Sequence, residues 1–421
     1  MRRCQRGTGA DSRSRRLTVG LAERAVAPTG RAGAREIFFA YFAYVGLLSP
    51  YLSLWLVDRG LSIVEIALLL SLPQWLRVVA PPFWGWLSDR TGRRLALLRF
   101  SATAALLLTL AFPFVQGLLP IALLLLTLSF VTAAQGPIGE VLALEQAQGD
   151  VGRYGQIRLW GSIGFVLTVL AGGPALDWLG VSALPWLMAA ALAGLVCVTL
   201  WVPEPAAVTP RAARGLREHF EVDRLAIAVF FLSVFLMIFS HAAMYSFWSI
   251  YLEQLGYSRT AIGAIWSIGV LAEIALFAVQ KRLFDRFRPL GLLGFSFMVC
   301  AIRFAMVGLS DGALWVIVLT QLMHAVTFGL HHSASMAVLH RWFNSTRHAQ
   351  AQSAFIVCGY GLGGGIGGVF AGWLWERYSP AAAFQASAVA ALLGWAAISL
   401  VTHRVRERVP GVGAVGKGHI G

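Results

Sequence analysis

The sequence predicts an all-α integral membrane protein with twelve transmembrane helices, built as two repeats of six. Three observations predict it: a shortage of charged residues, twelve apolar runs of membrane-spanning length, and an internal repeat that relates the two halves. Hydrophobic residues occupy 57% of the 421 positions, charged residues only 13%, and the mean hydropathy is +0.69. Because soluble domains carry about 25% charged residues, this composition excludes a soluble globular fold.

The apolar runs have the length that membrane helices need, since about 20 helical residues cross a hydrocarbon layer about 30 Å thick. Lipid offers the backbone no hydrogen-bond partner, so each run is expected to be helical. The predicted spans are residues 36–57, 62–87, 95–116, 119–144, 155–175, 182–202, 225–252, 260–281, 290–309, 312–340, 350–374 and 381–402.

Basic residues lie mainly in the two terminal tails and in the connections that follow spans two, six, eight and ten. The alternate connections hold isolated basic residues such as Arg59, Arg259 and Arg377. Because Lys and Arg are enriched on the cytoplasmic side of membrane proteins, we expect both termini in the cytoplasm and a multi-pass protein of the cell (inner) membrane. The net charge of +14 reflects this distribution and does not indicate a nucleic-acid partner.

The second half of the chain repeats the pattern of the first. At an offset of 196 residues, Ser53 matches Ser249 and Asp89 matches Asp285. At an offset of 200 residues, three glycines of span five match three of span eleven: Gly161, Gly164 and Gly172 with Gly361, Gly364 and Gly372. The repeat predicts two six-helix halves at 35–203 and 224–403, joined by a basic cytoplasmic linker at 204–223.

The two ends differ from the rest in composition. The first 34 residues are rich in Arg and contain no apolar stretch, which excludes a secretory signal. A disordered tail, a transit peptide and a start codon placed too early all fit this pattern. We take 1–34 as a disordered basic tail and 404–421 as a second cytoplasmic tail.

A glycine- and arginine-rich motif, Gly85-Trp-Leu-Ser-Asp89-Arg90-Thr-Gly92-Arg93-Arg94, follows the second span. It resembles the signature between helices two and three of the major facilitator superfamily, whose repeated halves surround a midplane site. The resemblance implies a cytoplasmic gate formed by Gly85, Asp89, Arg90, Gly92, Arg93 and Arg94. Asp89 could accept hydrogen bonds from basic groups and a helix N-terminus; an ordinary basic loop turned by Gly92 is the alternative.

Further stretches resemble one branch of that superfamily, the proton symporters related to 3-phenylpropionate permease, sugar symporters and nucleoside symporters. They include Ser49-Pro-Tyr-Leu52, Arg158-Leu-Trp-Gly161 and His324-Ala-Val-Thr-Phe-Gly329. The resemblance runs from about residue 36 to 402 and is closest to the phenylpropionate permease type. It implies proton-coupled uptake by alternating access.

Ionisable residues interrupt several spans, and each costs at least about 2.5 kcal/mol on membrane-insertion scales unless it faces a cavity or a partner. Arg77 lies near the midplane, Glu273 is its repeat mate at offset 196, Arg303 lies in span nine and His241 in span seven. This number of ionisable residues suggests a polar central cavity. Internal pairs that only hold helices together are the alternative.

The resemblance adds roles to these positions. Glu140 and Arg158 stand where the sugar branch has a substrate-binding acid in helix four and arginine in helix five. Glu273, Arg303 and His324 match residues of its coupling and binding machinery. One position departs: the proton-carrying acid three residues after that histidine is Thr327 here. Glu273 is therefore the first candidate for the proton carrier and His324 the second.

Aromatic residues accompany these ionisable ones. Tyr44 lies in span one, and His241, Tyr245 and Trp248 follow one another at i, i+4 and i+7 in span seven. A cavity lined by aromatic rings and arginines would suit an aromatic or hydrophobic carboxylate. The same spacing is also common among residues that only pack.

These observations predict a proton-coupled importer of a small organic acid, with aromatic acids among the candidates. A sugar or nucleoside symporter, an efflux antiporter and, in another class, a non-transporting membrane sensor are the alternatives. An enzyme is not expected, because no nucleophile–base set or metal-ligand cluster stands out. The expected partners are a small-molecule substrate, a proton and the bilayer, with no cofactor or metal, and the chain is expected to be a monomer. The candidate substrate contacts are Arg77, Glu140, Arg158, Arg303, Tyr44, His241, Tyr245 and Trp248.

Overall fold

A computed structural model describes residues 33–148, 150–203, 224–343 and 345–404. Across these ranges the chain is helical and forms no strand. Within these ranges, twelve helices are long and apolar enough to cross a membrane, which confirms the predicted number and type of element. The predicted tails fall almost entirely outside the described residues, and the linker at 204–223 falls wholly outside them.

The helices overlap the predicted spans one by one, and their ends differ by a few residues. They are α1 Ala34–Asp58, α2 Ile63–Thr91, α3 Arg94–Phe114, α4 Leu118–Ala147, α5 Gly152–Leu179, α6 Val181–Trp201, α7 Arg224–Gln254, α8 Arg259–Arg286, α9 Pro289–Leu309, α10 Leu314–Trp342, α11 Gln350–Arg377 and α12 Pro380–Arg404. We call α1–α6 the N-half and α7–α12 the C-half.

Several helices are less regular than the continuous spans predicted from the sequence. Helix α2 is two helices, Ile63–Leu76 and Ala80–Thr91, separated by a turn. Two prolines follow the turn, and proline has no N–H to continue the helical ladder. Helices α10 and α11 contain wider π-helical turns at Ala325–Leu330 and Ile356–Gly363. Such turns occur frequently at functional sites.

Contacts between the two halves are made chiefly by two crossed pairs of helices: α2 packs against α11, and α5 packs against α8. Small residues permit the close approach. The hydroxyl of Ser71 in α2 lies 3.1 Å from the Gly365 carbonyl oxygen of α11. A Cβ atom on Gly263 of α8 would lie 2.6 Å from the Val169 carbonyl oxygen of α5. The two crossings position the polar residues that lie between the halves.

Candidate functional site

The halves are fastened together on one face by two carboxylates. We call this the outer face, and the opposite face, which carries Arg90 and Arg94, the inner face; the sequence predicts the inner face to be cytoplasmic. At the end of α5, Asp177 accepts hydrogen bonds from the backbone N–H groups of Arg259 (3.0 Å) and Thr260 (2.9 Å). It also accepts one from the Thr260 hydroxyl at 2.6 Å. The first N–H groups of a helix lack partners within it and favour an anion, so Asp177 caps α8 from the other half.

Glu376 makes the corresponding contact in the opposite direction. It lies at the end of α11, and its carboxylate accepts a hydrogen bond from the backbone N–H of Val64, at the start of α2, at 2.9 Å. Each half therefore supplies one carboxylate that caps a helix of the other. Asp177 accepts three hydrogen bonds, whereas the one described for Glu376 is from Val64. The α5–α8 side of the outer face is the more strongly fastened.

Weakening the Asp177 contact should shift the protein toward a state open at the outer face. Asp177→Asn keeps an oxygen acceptor but removes the charge. Because Asp177 and Arg259 are about one-third exposed and such contacts contribute about 0.3–1 kcal/mol, we expect a shift of about two- to fivefold. The measure is the alkylation rate of a Ser71→Cys probe by a membrane-impermeant maleimide, in a background without the four native cysteines.

Glu253→Gln is the matched control for that experiment. Glu253 contacts the same arginine, at 3.0 Å from Arg259 Nη2, but both residues belong to the C-half. Removing its charge should leave the labelling rate of the probe unchanged. Equal labelling in both variants would show that the carboxylate of Asp177 does not hold the outer face closed.

The predicted gate motif lies at the inner face and is not joined to the C-half by any ion pair among the described residues. Asp89, Arg90, Gly92 and Arg93 are all exposed. Gly92 ends α2 in the left-handed conformation at φ 63°, where glycine meets no steric penalty. Among the described residues no ion pair joins Asp89 or Arg93 to the C-half.

The remaining gate residues contact only the N-half in the part of the chain described. The guanidinium of Arg90 lies over the ring of Trp86, at 5.4 Å from its centroid. Arg94 is paired with Glu145 at the end of α4, and no heavy atom would meet a Cβ on Gly85 within 4 Å. The protein is thus closed at the outer face, with its motif free at the inner face.

Glu140 and Arg158 form an ion pair within the N-half. Arg158 Nη1 of α5 lies 3.3 Å from Glu140 Oε1 of α4. The Tyr154 hydroxyl donates to Glu140 Oε2 at 2.5 Å. The Arg158 side chain is about half exposed and interacts electrostatically with Glu273 across the interface. The sequence indicated both members of the pair but did not indicate Tyr154 as a site residue.

Arg77 and Glu273, the predicted repeat mates, lie on the two sides of the same interface. Arg77 is exposed at the break in α2, and its guanidinium lies 5.2 Å from the ring centroid of Tyr360 in α11. Glu273 lies on α8 against Gly329 of α10, where a Cβ would be 3.0 Å from its Cγ. Both interact electrostatically with Tyr245 of α7. The sequence did not indicate Tyr360, which lies in a glycine-rich stretch without any acidic or basic residue.

Arg303 of α9 is buried within the C-half and is 1% exposed. Its Nη1 donates to the Thr327 hydroxyl at 2.9 Å and to His324 Nδ1 at 3.2 Å, and it lies 3.4 Å from His241 Nε2. Its Nε has no hydrogen-bond partner, and no carboxylate lies within ion-pair distance among the described residues. The guanidinium charge is therefore buried and not neutralised by a neighbouring acid.

The hydrogen bonds of this cluster fix the tautomers of both histidines. Nδ1 of His241 lies 2.9 Å from the carbonyl oxygen of Met237, which can only accept. His241 therefore carries its hydrogen on Nδ1 and accepts through Nε2. Because Arg303 can only donate, His324 accepts at Nδ1 and carries its hydrogen on Nε2. A further proton on either ring would place a second positive charge beside Arg303.

The predicted aromatic residues separate into two groups. Tyr245 lies beside the buried cluster, because its ring is 6.3 Å from that of His324 and 6.0 Å from that of Phe328. Trp248 instead packs against Tyr251 and Phe384 within the C-half and is 1% exposed. Tyr44 is also buried, and its hydroxyl has no hydrogen-bond partner.

A twelve-helix membrane fold with polar residues between two halves, fastened on one face and free on the other, is the architecture of a membrane transporter. Comparison with known proteins identifies the family. Residues 35–386 match the model of the MFS_1 like family, so the chain belongs to this family of the major facilitator superfamily, and the resemblance drawn from its motifs is confirmed.

Two curated relatives are transporters. The chain is 27% identical to the maltose permease of Geobacillus stearothermophilus over 375 residues, covering 88% of this chain and 93% of the relative. It is 28% identical to the probable 3-phenylpropionic acid transporter of Escherichia coli K12 over 345 residues, covering 80% and 89%. The crystal structure of the nucleoside transporter NupG superposes with a TM-score of 0.76 at 18% identity, covering 89% of this chain and 98% of NupG. The protein is therefore a multi-pass transporter of the cell membrane.

Proposed function

We propose that this transporter imports a small organic acid together with a proton, and that aromatic acids are the first candidates. The observation that carries the proposal is a set of charged side chains that have no oppositely charged group within ion-pair distance. Arg77 and Arg303 have no carboxylate within ion-pair distance among the described residues, and Glu273 has no basic group at that distance. An anion would neutralise the arginines, and a proton would neutralise Glu273.

Three arginines are the proposed anion contacts, and they differ in access. Arg77 is exposed at the break of α2 and Arg158 is half exposed, so an entering carboxylate would meet these two first. Arg303 is buried, and its charge acts on Tyr245 from beneath. Guanidinium groups bind carboxylates with paired, charge-assisted hydrogen bonds, which supports an acidic substrate.

Glu273 is the proposed proton carrier. Thr327 cannot carry a proton in place of the acid found in the sugar branch, because an alcohol hydroxyl does not titrate near neutral pH. Its hydroxyl instead hydrogen-bonds with Arg303 and His241. His324 is less suited to the role, since its accepting nitrogen faces the Arg303 guanidinium at 3.2 Å. A carboxylate removed from water binds a proton more readily than one in solution. Uptake of a proton with a monoanion would carry no net charge.

Alternating access would follow from rocking of the halves, 35–203 and 224–403, connected by the linker 204–223. Opening the outer face would require the Asp177 and Glu376 contacts to part. Closing the inner face would engage the motif around Asp89 and Arg93. We propose that a monomer performs this cycle with both termini in the cytoplasm.

Sugar symport is the second candidate. The Glu140–Arg158 pair favours it, since a carboxylate and a guanidinium held 3.3 Å apart present acceptors and donors to the hydroxyl groups of a sugar. The likeness to a maltose permease points the same way. The uptake experiment therefore includes a sugar.

Uptake into proteoliposomes tests the proposal. An inward proton gradient is imposed, and radiolabelled 3-phenylpropionate, maltose and uridine are supplied in turn. We expect gradient-driven uptake of the acid and not of the other two. Gradient-driven uptake of maltose alone would replace the acid by a sugar, and acid uptake that ignores the gradient would overturn the coupling.

Replacing Glu273 with glutamine should abolish the stimulation by the gradient while exchange of labelled for unlabelled acid continues. The amide keeps the size of the side chain but cannot cycle a proton. Asp311→Asn is the control: it removes a carboxylate from an exposed connection at φ 44°, a conformation that Asn also accepts. Unchanged stimulation in Glu273→Gln would assign the proton to another group.

A further inference from the structure

We propose that Tyr360 determines specificity, because with Arg77 it forms a subsite for ligands that combine an anionic group with a flat aromatic face. The inference rests on the proposed uptake of an organic acid and names the part of the site that would recognise its ring. It starts from one contact, the guanidinium of Arg77 lying 5.2 Å from the ring centroid of Tyr360.

This contact lies where two irregular helical segments meet. Arg77 follows the last residue of the first α2 segment and is the first residue of the turn that breaks the helix. Tyr360 belongs to the π-helical turn of α11. The neighbouring residues pack closely: a Cβ on Gly361 would lie 2.9 Å from Val78, and one on Gly364 would lie 3.4 Å from Gln74. The two segments thus bring a cation of one half against a ring of the other.

The Arg77–Tyr360 contact lies at the inner end of the α2–α11 contacts that close the outer face. Farther toward the outer face, α2 and α11 are joined by the Ser71–Gly365 and Val64–Glu376 hydrogen bonds. Toward the inner face, α2 continues to Asp89, which is exposed. On the α2–α11 side, Arg77 and Tyr360 therefore lie closer to the open side than either of these hydrogen bonds.

The charge of Arg77 is available to a ligand. Among the described residues it has no ion pair, and its guanidinium lies over the ring of Tyr360. Paired hydrogen bonds to a carboxylate are stronger than the contact of a guanidinium with a ring. A ligand carboxylate would therefore draw Arg77 away and leave the Tyr360 ring exposed to the rest of the ligand.

The surroundings suit an aromatic ligand. Tyr41 and Tyr245 both interact electrostatically with Arg77, and Tyr245 also interacts with Tyr360. Tyr360 thus contacts the arginine directly, and two further tyrosines lie within range of its charge. Aromatic rings prefer offset or edge-to-face contacts with one another, so a phenyl group beside the bound carboxylate would gain a contact that a saturated ring lacks.

Two acids that differ only in their ring test the inference: 3-phenylpropionate and 3-cyclohexylpropionate. Aromatic contacts of this kind correspond to a preference of about two- to tenfold, so we expect the wild-type KM to be lower for the phenyl acid by that factor. Tyr360→Phe should keep the preference. Tyr360→Leu should reduce it to about onefold, mainly by raising the KM for the phenyl acid with little change in kcat.

Tyr378→Leu is the matched control, since Tyr378 follows α11 and is 66% exposed; it should keep the wild-type preference. Tyr360→Met replaces Tyr360→Leu if the leucine variant does not fold, and the same loss is expected. No uptake of either acid by the wild type would overturn the proposed function. Uptake of both with equal KM, or an equal loss of both in Tyr360→Leu, would overturn this inference and leave organic-acid uptake standing.

Discussion

Replacing Arg303 with methionine is expected to reduce acid uptake by roughly 10- to 100-fold while leaving the protein as stable as the wild type, or more stable. Hydrogen bonds to a charged group contribute about 1.5–3 kcal/mol, and each 1.4 kcal/mol is about tenfold. The guanidinium is 1% exposed and lacks an acidic partner in the described structure. An isolated buried charge destabilises a fold by several kcal/mol, so its loss offsets the loss of its hydrogen bonds.

Uptake in proteoliposomes measures the expected loss of transport, and thermal unfolding in detergent measures the expected stability. Arg303→Lys should also lose uptake, because an ammonium group lacks the planar fork with which a guanidinium binds a carboxylate through two hydrogen bonds. A methionine variant that unfolds at a much lower temperature would assign Arg303 a structural role. One that retains full uptake would remove it from the site.

Thr327→Glu provides an independent route to the same outcome. Thr327 Oγ1 lies 2.9 Å from Arg303 Nη1, so a carboxylate at this position would neutralise the guanidinium from within the protein. If the uncompensated charge attracts the substrate, uptake should fall about as far as in Arg303→Met. Preserved uptake would show that the charge of Arg303 is not needed.

The architecture could be predicted from the sequence because lipid restricts the chain so strongly. A run of about 20 apolar residues in a bilayer has no stable alternative to a helix. Charged residues, Gly and Pro mark the ends of the runs. The break in α2 was not predicted, because Pro81 and Pro82 lie within a membrane span, where prolines are also tolerated in continuous helices.

The site could be predicted only in part, since helical spacing shows which residues share a face but not which helix that face meets. Tyr245 and Trp248 lie one turn apart on α7, yet Tyr245 meets His324 of α10 and Trp248 meets Phe384 of α12. Family resemblance, not periodicity, assigned roles to Glu140, Arg158, Arg303 and His324, and only the structure shows that they form two contacting pairs.

The hydrogen bonds that join the two halves at the outer face could not be predicted. Asp177 and Thr260 are 83 positions apart, and Glu376 and Val64 are 312 positions apart. A carboxylate at the end of a helix near the bilayer surface is an ordinary feature, and its bonds to backbone N–H groups leave no pattern in side chains. Only the packing of α5 on α8 and of α2 on α11 brings these groups together.

Replacing either of two glycines of α5 with alanine should have different effects: one on the stability of the protein, the other on the contact between the halves. A Cβ on Gly164 would lie 2.3 Å from the carbonyl oxygen of Phe39, in the same half. A Cβ on Gly173 would lie 2.5 Å from the carbonyl oxygen of Arg259, in the other half. Both clashes are with backbone, which cannot turn aside as a side chain can. The clash at Gly164 must be absorbed within the N-half, whereas the clash at Gly173 can be relieved by moving the halves apart.

Gly164→Ala should therefore lower the thermal midpoint and the yield, since overpacking costs about 1–3 kcal/mol. Gly173→Ala should leave the thermal midpoint nearly unchanged and raise the alkylation rate of the Ser71→Cys probe. The same 1–3 kcal/mol, applied to the equilibrium between closed and open outer faces, corresponds to roughly 5- to 150-fold. This exceeds the shift expected for Asp177→Asn, because a steric clash is not screened by solvent or salt.

Gly194→Ala is the control for both variants, because no heavy atom lies within 4 Å of its added Cβ. Inside α6 it should stabilise the helix by about 0.5–1 kcal/mol and leave labelling unchanged. If Gly173→Ala destabilised the protein without raising the labelling rate, α5 and α8 would form a permanent contact and the halves would not part there. If labelling rises and uptake falls while the thermal midpoint holds, the α5–α8 crossing is a moving interface, and its closure by Asp177 is a step of the transport cycle.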